Sequence, residues 1–368
     1  MKTDFSLAMP PRPRWNTNMS PRALSSSAAF AAGTALLASA ANARQSKLGL
    51  VAYCFNLAAK NHGTVSGAPK FSDPLIFIEQ AAQLGASAVQ IPFGICEASR
   101  VWAIRDAAER RNIALESTVA LPKNDPDRDR FDAELKTLRE LGVKIARTVL
   151  LPGRRYEQFT SIFDYANAMR VATKALSDAE KIARKHDLKL ALENHKDHTT
   201  EERLALLEQF SSEHIGACLD IGNNISLLED PVETARAFAP WTLTVHFKDQ
   251  GVRESADGFL LADVPVGQGA INLKEIIAIV RAKKPTARFH LELITRDPLR
   301  IPIYQDTYWR TLDAIKAPQL GSTLALLKSQ SAPIDFPLVS KLSAEQQVRA
   351  ERANIEQSLR YSAEQLGF

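Results

Sequence analysis

The chain has 368 residues, 45% apolar and 24% charged, enough to bury a large core as one big α/β barrel or two smaller domains. Of the formal charge of +4, residues 1–43 hold +3 (Lys2, Arg12, Arg14 and Arg22 against Asp4), which leaves the remainder about +1. Bulk attraction to nucleic acid or to an anionic membrane is thereby excluded.

From the N-terminus, Arg22 precedes an Ala-rich apolar run over 23–40, and Ala41-Asn42-Ala43 reads as an A-x-A cleavage site. Residues 1–43 are expected to be an export signal, with a periplasmic or secreted mature chain from Arg44. An uncleaved signal serving as a membrane anchor is the alternative. The run is short and Ser-rich, so the mature form is expected to have no stable membrane span. Ser20-Pro21-Arg22 lacks the adjacent arginines of a twin-arginine signal, which leaves the export route open.

Beyond Arg44, apolar runs of strand type alternate with segments of helical period. The expected strands are 48–55, 86–93, 113–121, 143–151, 188–193, 215–221, 243–248 and 288–294. The expected helices are 73–84, 97–111, 127–141, 163–186, 200–210, 231–238 and 273–283. The Gly-rich stretch 252–270 reads as a hairpin or lid-like loop. Such alternation implies parallel strands with right-handed crossovers. No G-x-G-x-x-G or P-loop follows any strand, and a strand count of eight favours a closed (β/α)8 TIM barrel over 44–316. Residues 317–368 form a C-terminal extension: Pro333 and Pro337 mark irregular chain. A polar helix over 343–365, with sparse apolar Leu359 and Tyr361, would lie on the barrel or on a partner subunit, so a homodimer contact is open. Cys54, Cys96 and Cys218 form no C-x-x-C pair and read as small buried hydrophobes.

Barrel chemistry sits at the C-terminal ends of strands. Side chains alternate along a strand. Glu193 shares its face with Ala191 and His195, Asp220 with Gly216 and Cys218, His246 with Thr244 and Lys248, and Glu292 with His290 and Ile294. Four consecutive strands thus bring Glu, Asp, His and Glu to the mouth at equivalent depth. A carboxylate ending an apolar run is costly unless paired or metal-bound. Three carboxylates and an imidazole suit one divalent cation, Mn2+ or Mg2+ first, with Co2+ or Zn2+ as alternatives.

The motifs Leu192-Glu193-Asn194-His195, Cys218-Leu219-Asp220-Ile221-Gly222-Asn223, Val245-His246-Phe247-Lys248-Asp249 and Leu291-Glu292-Leu293-Ile294-Thr295-Arg296-Asp297-Pro298 carry a resemblance. From Lys47 to about Trp309 the chain resembles the xylose isomerase-like TIM-barrel superfamily, in its sugar phosphate isomerase/epimerase branch. The resemblance implies that Glu193, Asp220, His246 and Glu292 bind one divalent metal and that Glu193 and Glu292 are the catalytic acid/base pair. Epimerases of this branch often carry a substrate-contacting His three residues after the metal Asp. Here that residue is Asn223, so the substrate is not fixed by the resemblance.

Substrate-binding candidates are His195, Asn223, Lys248, Arg296, Glu116, Arg147 and Arg154. For Lys248 a rim salt bridge to Asp249 is the competing reading. Glu116 and Arg147 would pair across neighbouring strands. Arg154 and Arg155 follow strand four, with Arg155 equally readable as solvated. Arg296 is the better anion binder, and Gln90 a weaker substrate contact. The expected activity is a metal-dependent isomerisation or epimerisation of a keto sugar or polyol derivative through an enediolate. Export argues against phosphorylated substrates. The rivals are a lyase, dehydratase or 3-keto-glycoside-cleaving enzyme on the same barrel, and a non-catalytic sugar-binding barrel. Phosphodiester cleavage is disfavoured, since it needs a His-rich multi-metal site.

Overall fold

A computed structural model describes residues 48–66, 69–312, 317–329, 336 and 338–368. The expected export segment lies outside the described residues. Eight parallel strands close a barrel: β1 (Gly49–Val51), β2 (Ala88–Ile91), β3 (Ala114–Thr118), β4 (Ile145–Thr148), β5 (Lys189–Glu193), β6 (Ile215–Asp220), β7 (Thr242–Phe247) and β10 (Arg288–Leu291), with β10 pairing β1. Between β7 and β10 the chain makes the hairpin β8 (Asp249–Ser255) and β9 (Gly258–Val264), and β11 (Leu299–Ile301) adds to it as a third strand. The Gly-rich stretch is therefore largely sheet. The eight-stranded barrel with a C-terminal helix agrees with the sequence expectation, although β1 to β4 are shorter at both ends.

The strands are apolar outward and polar inward. On β7, Val245 and Phe247 alternate with Thr244 and His246, and all four are buried. On β10, Phe289 and Leu291 alternate with the inward His290. Gly49 admits that imidazole, since a Cβ there would lie 2.2 Å from His290 Nδ1. Helices start where the sequence offers a cap. Asp73 accepts from Leu75 N–H ahead of Pro74, and Thr199 and Ser343 form capping boxes with Glu202 and Gln346. No described helix is long and apolar enough to cross a membrane.

The polar helix Ala344–Gln365 docks on its own barrel. Glu351 accepts from the backbone N–H groups of Leu57 (2.7 Å) and Ala58 (2.9 Å) beyond β1. Ser358 Oγ accepts from Val266 N–H at 3.1 Å. Phe368 packs its ring 5.3 Å from Phe247 and 5.4 Å from Phe289, on the outward faces of β7 and β10. Of the two places proposed for this helix, its own barrel is the one it occupies, and it spans the seam where β10 meets β1. A second helix, Ala317–Ser329, precedes it in a stretch where the sequence pattern had given no element.

Candidate metal and active site

The four residues stand at rising register along the ladder. Glu193 pairs with Cys218, Asp220 with His246, and His246 with His290, two residues before Glu292. The β10 ladder continues past the strand end, with Glu292 N–H donating to Phe247 O at 2.9 Å. Strand tilt in a closed barrel offsets neighbouring registers, and the climb from β5 to β10 cancels it. One ligand-type atom from each of Glu193, Asp220, His246 and Glu292 lies within 4.8 Å of all the others. Glu193, Asp220 and His246 are fully buried and Glu292 is 4% exposed.

Each group is aimed by its neighbours. Asp220 Oδ1 accepts from the N–H groups of Gly222 (2.9 Å) and Asn223 (2.8 Å), which turns Oδ2 inward. The Asn194 carboxamide pairs with the Asp220 backbone in both directions, each bond 2.7 Å, and extends the β5–β6 ladder through a side chain. Arg147 clasps Glu193 Oε2, and Asn223 Nδ2 donates to Oε1 at 3.0 Å. Lys248 Nζ lies 2.7 Å from Asp220 Oδ2 and 2.6 Å from Glu292 Oε2.

The imidazole orientation follows from a relay. Glu116 Oε2 can only accept, so the Gln90 amide nitrogen faces it at 3.3 Å. Gln90 Oε1 is thereby turned to His246 Nε2 at 2.7 Å, and His246 must donate there. In the neutral ring the lone pair is then on Nδ1, which faces Glu292 Oε1 (3.2 Å) and Glu193 Oε2 (3.4 Å) without hydrogen-bond geometry to either. A buried, unbonded imidazole nitrogen among three carboxylates is a donor set that fits a divalent cation, and the bond from Nε2–H to Gln90 is the outer support that metal-binding imidazoles need.

The electrostatics of the protein alone are strained accordingly. Burial, with the carboxylates of Glu292 and Glu193, pushes Asp220 up to about 6 against the pull of Lys248. Burial would also raise Glu193, but Arg147 and His246 hold it well below the usual carboxylate range. Glu292 is likewise held down, against burial, by His246 and Lys248. Burial would lower His246, yet Cys218, Glu292 and Glu193 keep it raised. The Cys218 thiol borders this group and burial pushes it up to about 11, so it stays neutral.

Several candidate residues have other partners than expected. Lys248 pairs with Asp220 and Glu292, not with Asp249, because Asp249 gathers the N–H groups of Gln250, Gly267, Gly269 and Ile271. Arg147 turns to Glu193 and not to Glu116, whose ionic neighbours are His290 (3.1 Å) and Arg288 (3.6 Å). Gln90 lies beneath His246 as its partner. Arg155 is buried, 2.6 Å from Glu202 with its guanidinium over the Tyr165 ring, which corrects its reading as a solvated residue. Arg154 bonds Glu157 on its own helix turn at 2.6 Å. Arg296 reaches Asp263 of the hairpin at 3.3 Å. His195 Nδ1 is buried without a hydrogen bond. Lys196 was not singled out from sequence, yet it is 5% exposed and its Nζ contacts Asn223 Oδ1. A separate cleft of about 610 Å³, lined by Ser87, Asn112, Gly142 and Arg288, opens at the strand starts, away from these groups.

The family model described as a xylose isomerase-like TIM barrel matches residues 78–316. The chain belongs to this family. Among characterised relatives, 3-oxo-isoapionate decarboxylase of Pectobacterium atrosepticum is 25% identical over 210 residues, spanning 55% of this chain and 71% of that protein. Among solved structures, a xylose isomerase-like TIM barrel protein from Mycobacterium smegmatis in complex with magnesium aligns with a TM-score of 0.51 at 16% identity, covering 77% of this chain and 99% of that one. The 3-keto-D-glucoside 4-epimerase of E. coli aligns with a TM-score of 0.51 at 12% identity, covering 77% and 99%. At these identities the structural likenesses establish the shared barrel, and function has to be argued from the site.

Proposed function

We propose that the protein is a divalent-metal-dependent isomerase or epimerase acting on a keto sugar or polyol derivative through an enediolate. The observation that carries this reading is the convergence of Glu193, Asp220, His246 and Glu292 within 4.8 Å, with Nδ1 of His246 turned into the group. These four residues would hold one Mg2+ or Mn2+. When bound, the ion would polarise a carbonyl and its neighbouring hydroxyl and lower the cost of enediolate charge.

The rest falls to the chain's own side chains. Glu193 and Glu292 come from β5 and from just beyond β10, on separate parts of the wall, and form the acid/base pair. One takes the proton next to the carbonyl. The other returns a proton to the opposite face, or to the neighbouring carbon. Arg147 and Asn223 fix the Glu193 carboxylate, and Lys248 neutralises charge beside Glu292. Burial of the set excludes bulk water from the reacting carbon.

Likeness to a decarboxylase favours a second reading, a lyase using the same enediolate. There the bond to a carboxylate carbon breaks, its electron pair enters the enediolate, CO2 leaves, and a glutamic acid protonates the carbon. Incubation with Mg2+ and a panel of keto sugars in D2O separates the two. Isomerisation or epimerisation incorporates deuterium at a carbon next to the carbonyl with no loss of carbon. The lyase releases CO2. Both activities should vanish with EDTA and in Glu292→Gln. Absence of metal-dependent turnover across the panel would overturn both readings in favour of a binding barrel.

A further inference from the structure

We propose that Lys196 is an anion-recognition residue of this site and that the substrate is a keto sugar bearing a carboxylate; this rests on the metal-dependent reading above and narrows its substrate class. The first observation is what Lys196 lacks. Among the described residues, the other buried or half-buried cations at the mouth each face a carboxylate: Arg147 faces Glu193, Lys248 faces Asp220 and Glu292, Arg203 faces Asp197, and Arg296 faces Asp263. Lys196 has no carboxylate in ion-pair range, and its Nζ meets only the amide oxygen of Asn223. A buried ammonium without an anion is expensive. A ligand carboxylate would repay that cost.

The second observation is that the chain holds Lys196 there against its own preference. Lys196 has a φ of +67°, unfavourable for a lysine. The turn is pinned on both sides. Asp197 accepts from the N–H groups of His195 (3.2 Å) and Leu151 (3.3 Å) and is bound by Arg203 at 2.8 Å. Arg155 N–H donates to Lys196 O at 3.1 Å. A residue in that conformation persists where its surroundings over-determine it, as they do here. Asn223 then joins the cation to the chemistry, since its one carboxamide contacts Lys196 through Oδ1 and Glu193 through Nδ2.

The third observation is the charge balance. The mutually interacting groups at the mouth are the carboxylates of Glu193, Asp220, Glu292 and Asp263 and the cations of Arg147, Lys196, Lys248 and Arg296. Four of each sign cancel. With His246 neutral as a metal ligand, a bound divalent ion leaves the site two charges positive, and proton transfer from substrate to a glutamate does not change that sum. A substrate carboxylate offsets one of those two positive charges. Burial and Lys248 lower the Lys196 ammonium to about 8, which leaves most of it charged at neutral pH.

The test is calorimetric titration of the full chain with two unreactive polyols of equal length, D-gluconate and D-glucitol, with and without Mg2+. In wild type, D-gluconate should bind at least about tenfold tighter than D-glucitol, as expected for a charge-assisted contact. Lys196→Met should remove that preference, Lys196→Arg should keep most of it, and Mg2+ affinity should be the same in all three. Retention of charge in the arginine variant at the same backbone position distinguishes a lost cation from a damaged fold. Equal affinity for the two polyols in wild type, a preference that survives Lys196→Met, or failure of both polyols to bind would overturn the proposal. Loss of Mg2+ binding with the D-gluconate preference intact would sink the metal reading and leave the anion site standing.

Discussion

The two halves of the barrel carry polar residues for different ends. Strands β5, β6, β7 and β10 end in the four groups that converge on one point. Strands β2, β3 and β4 send in Gln90, Glu116 and Arg147, equally buried, and each of these is spent on another side chain: Gln90 on His246, Glu116 on Gln90 and His290, Arg147 on Glu193. One half supplies reacting and ligating atoms, and the other supplies their orientation and counter-charge. The difference teaches that burial and charge alone do not mark a catalytic residue in this barrel. What marks the reacting half is convergence, one ligand-type atom from each of four residues within 4.8 Å of all the others.

Breaking the reacting half should have the largest effect. Glu292→Gln should lower turnover by about 10²–10⁴-fold while metal binding persists, measured by steady-state rates beside metal content. In the supporting half, Arg147→Met strands the buried Glu193 charge and should cost about 3–5 kcal/mol of stability in denaturant titration. The sign with pH follows. Glu193 is held below its ordinary value, so its contribution is present at neutral pH and is lost only as pH falls below the unfolded value. Without Arg147 burial raises the Glu193 carboxyl, so the acid-side loss shrinks and the variant's deficit against wild type narrows as pH falls. Gln90→Leu removes the acceptor of His246 Nε2–H together with a donor to Glu116, and should weaken Mg2+ binding by about 10–100-fold.

The smallest expected effect concerns the helix that ties the halves together. Burial raises Glu351 to about 7, although two amides pull it down. The folded chain therefore holds a proton that the unfolded chain has lost between the ordinary carboxylate value and about 7. Stability should fall as pH rises through that window. Thermal melts from pH 5 to pH 8 should show this fall in wild type and a flatter profile in Glu351→Gln.

Much of this was legible from sequence for physical reasons. Eight apolar runs separated by helical periods specify a parallel barrel, and strand alternation puts Glu193, Asp220, His246 and Glu292 inward. Register was not legible, because pattern within a strand says nothing about its offset against the next. For that reason the common depth was readable, but not the climb in register that produces it. Pairing preferences were also hidden: Arg147 could face Glu116 or Glu193, and only the side-chain geometry decides. Gln90 did carry a signal, an uncharged amide inside Ala88-Val89-Gln90-Ile91, but a buried amide does not reveal which group it serves. Lys196 lies in a turn where neither helical nor strand periodicity applies. Its one trace was the run of five polar residues from Asn194 to His198 after an apolar strand.

The central claim is that four side chains of one half-barrel form a metal site. Metal analysis of the purified chain after dialysis, in wild type and in Asp220→Ala, tests it most directly. The account predicts about one divalent ion per wild-type chain, and its loss in Asp220→Ala. A wild-type chain that takes up no divalent ion, or an Asp220→Ala variant that retains one ion with unchanged affinity, would contradict it.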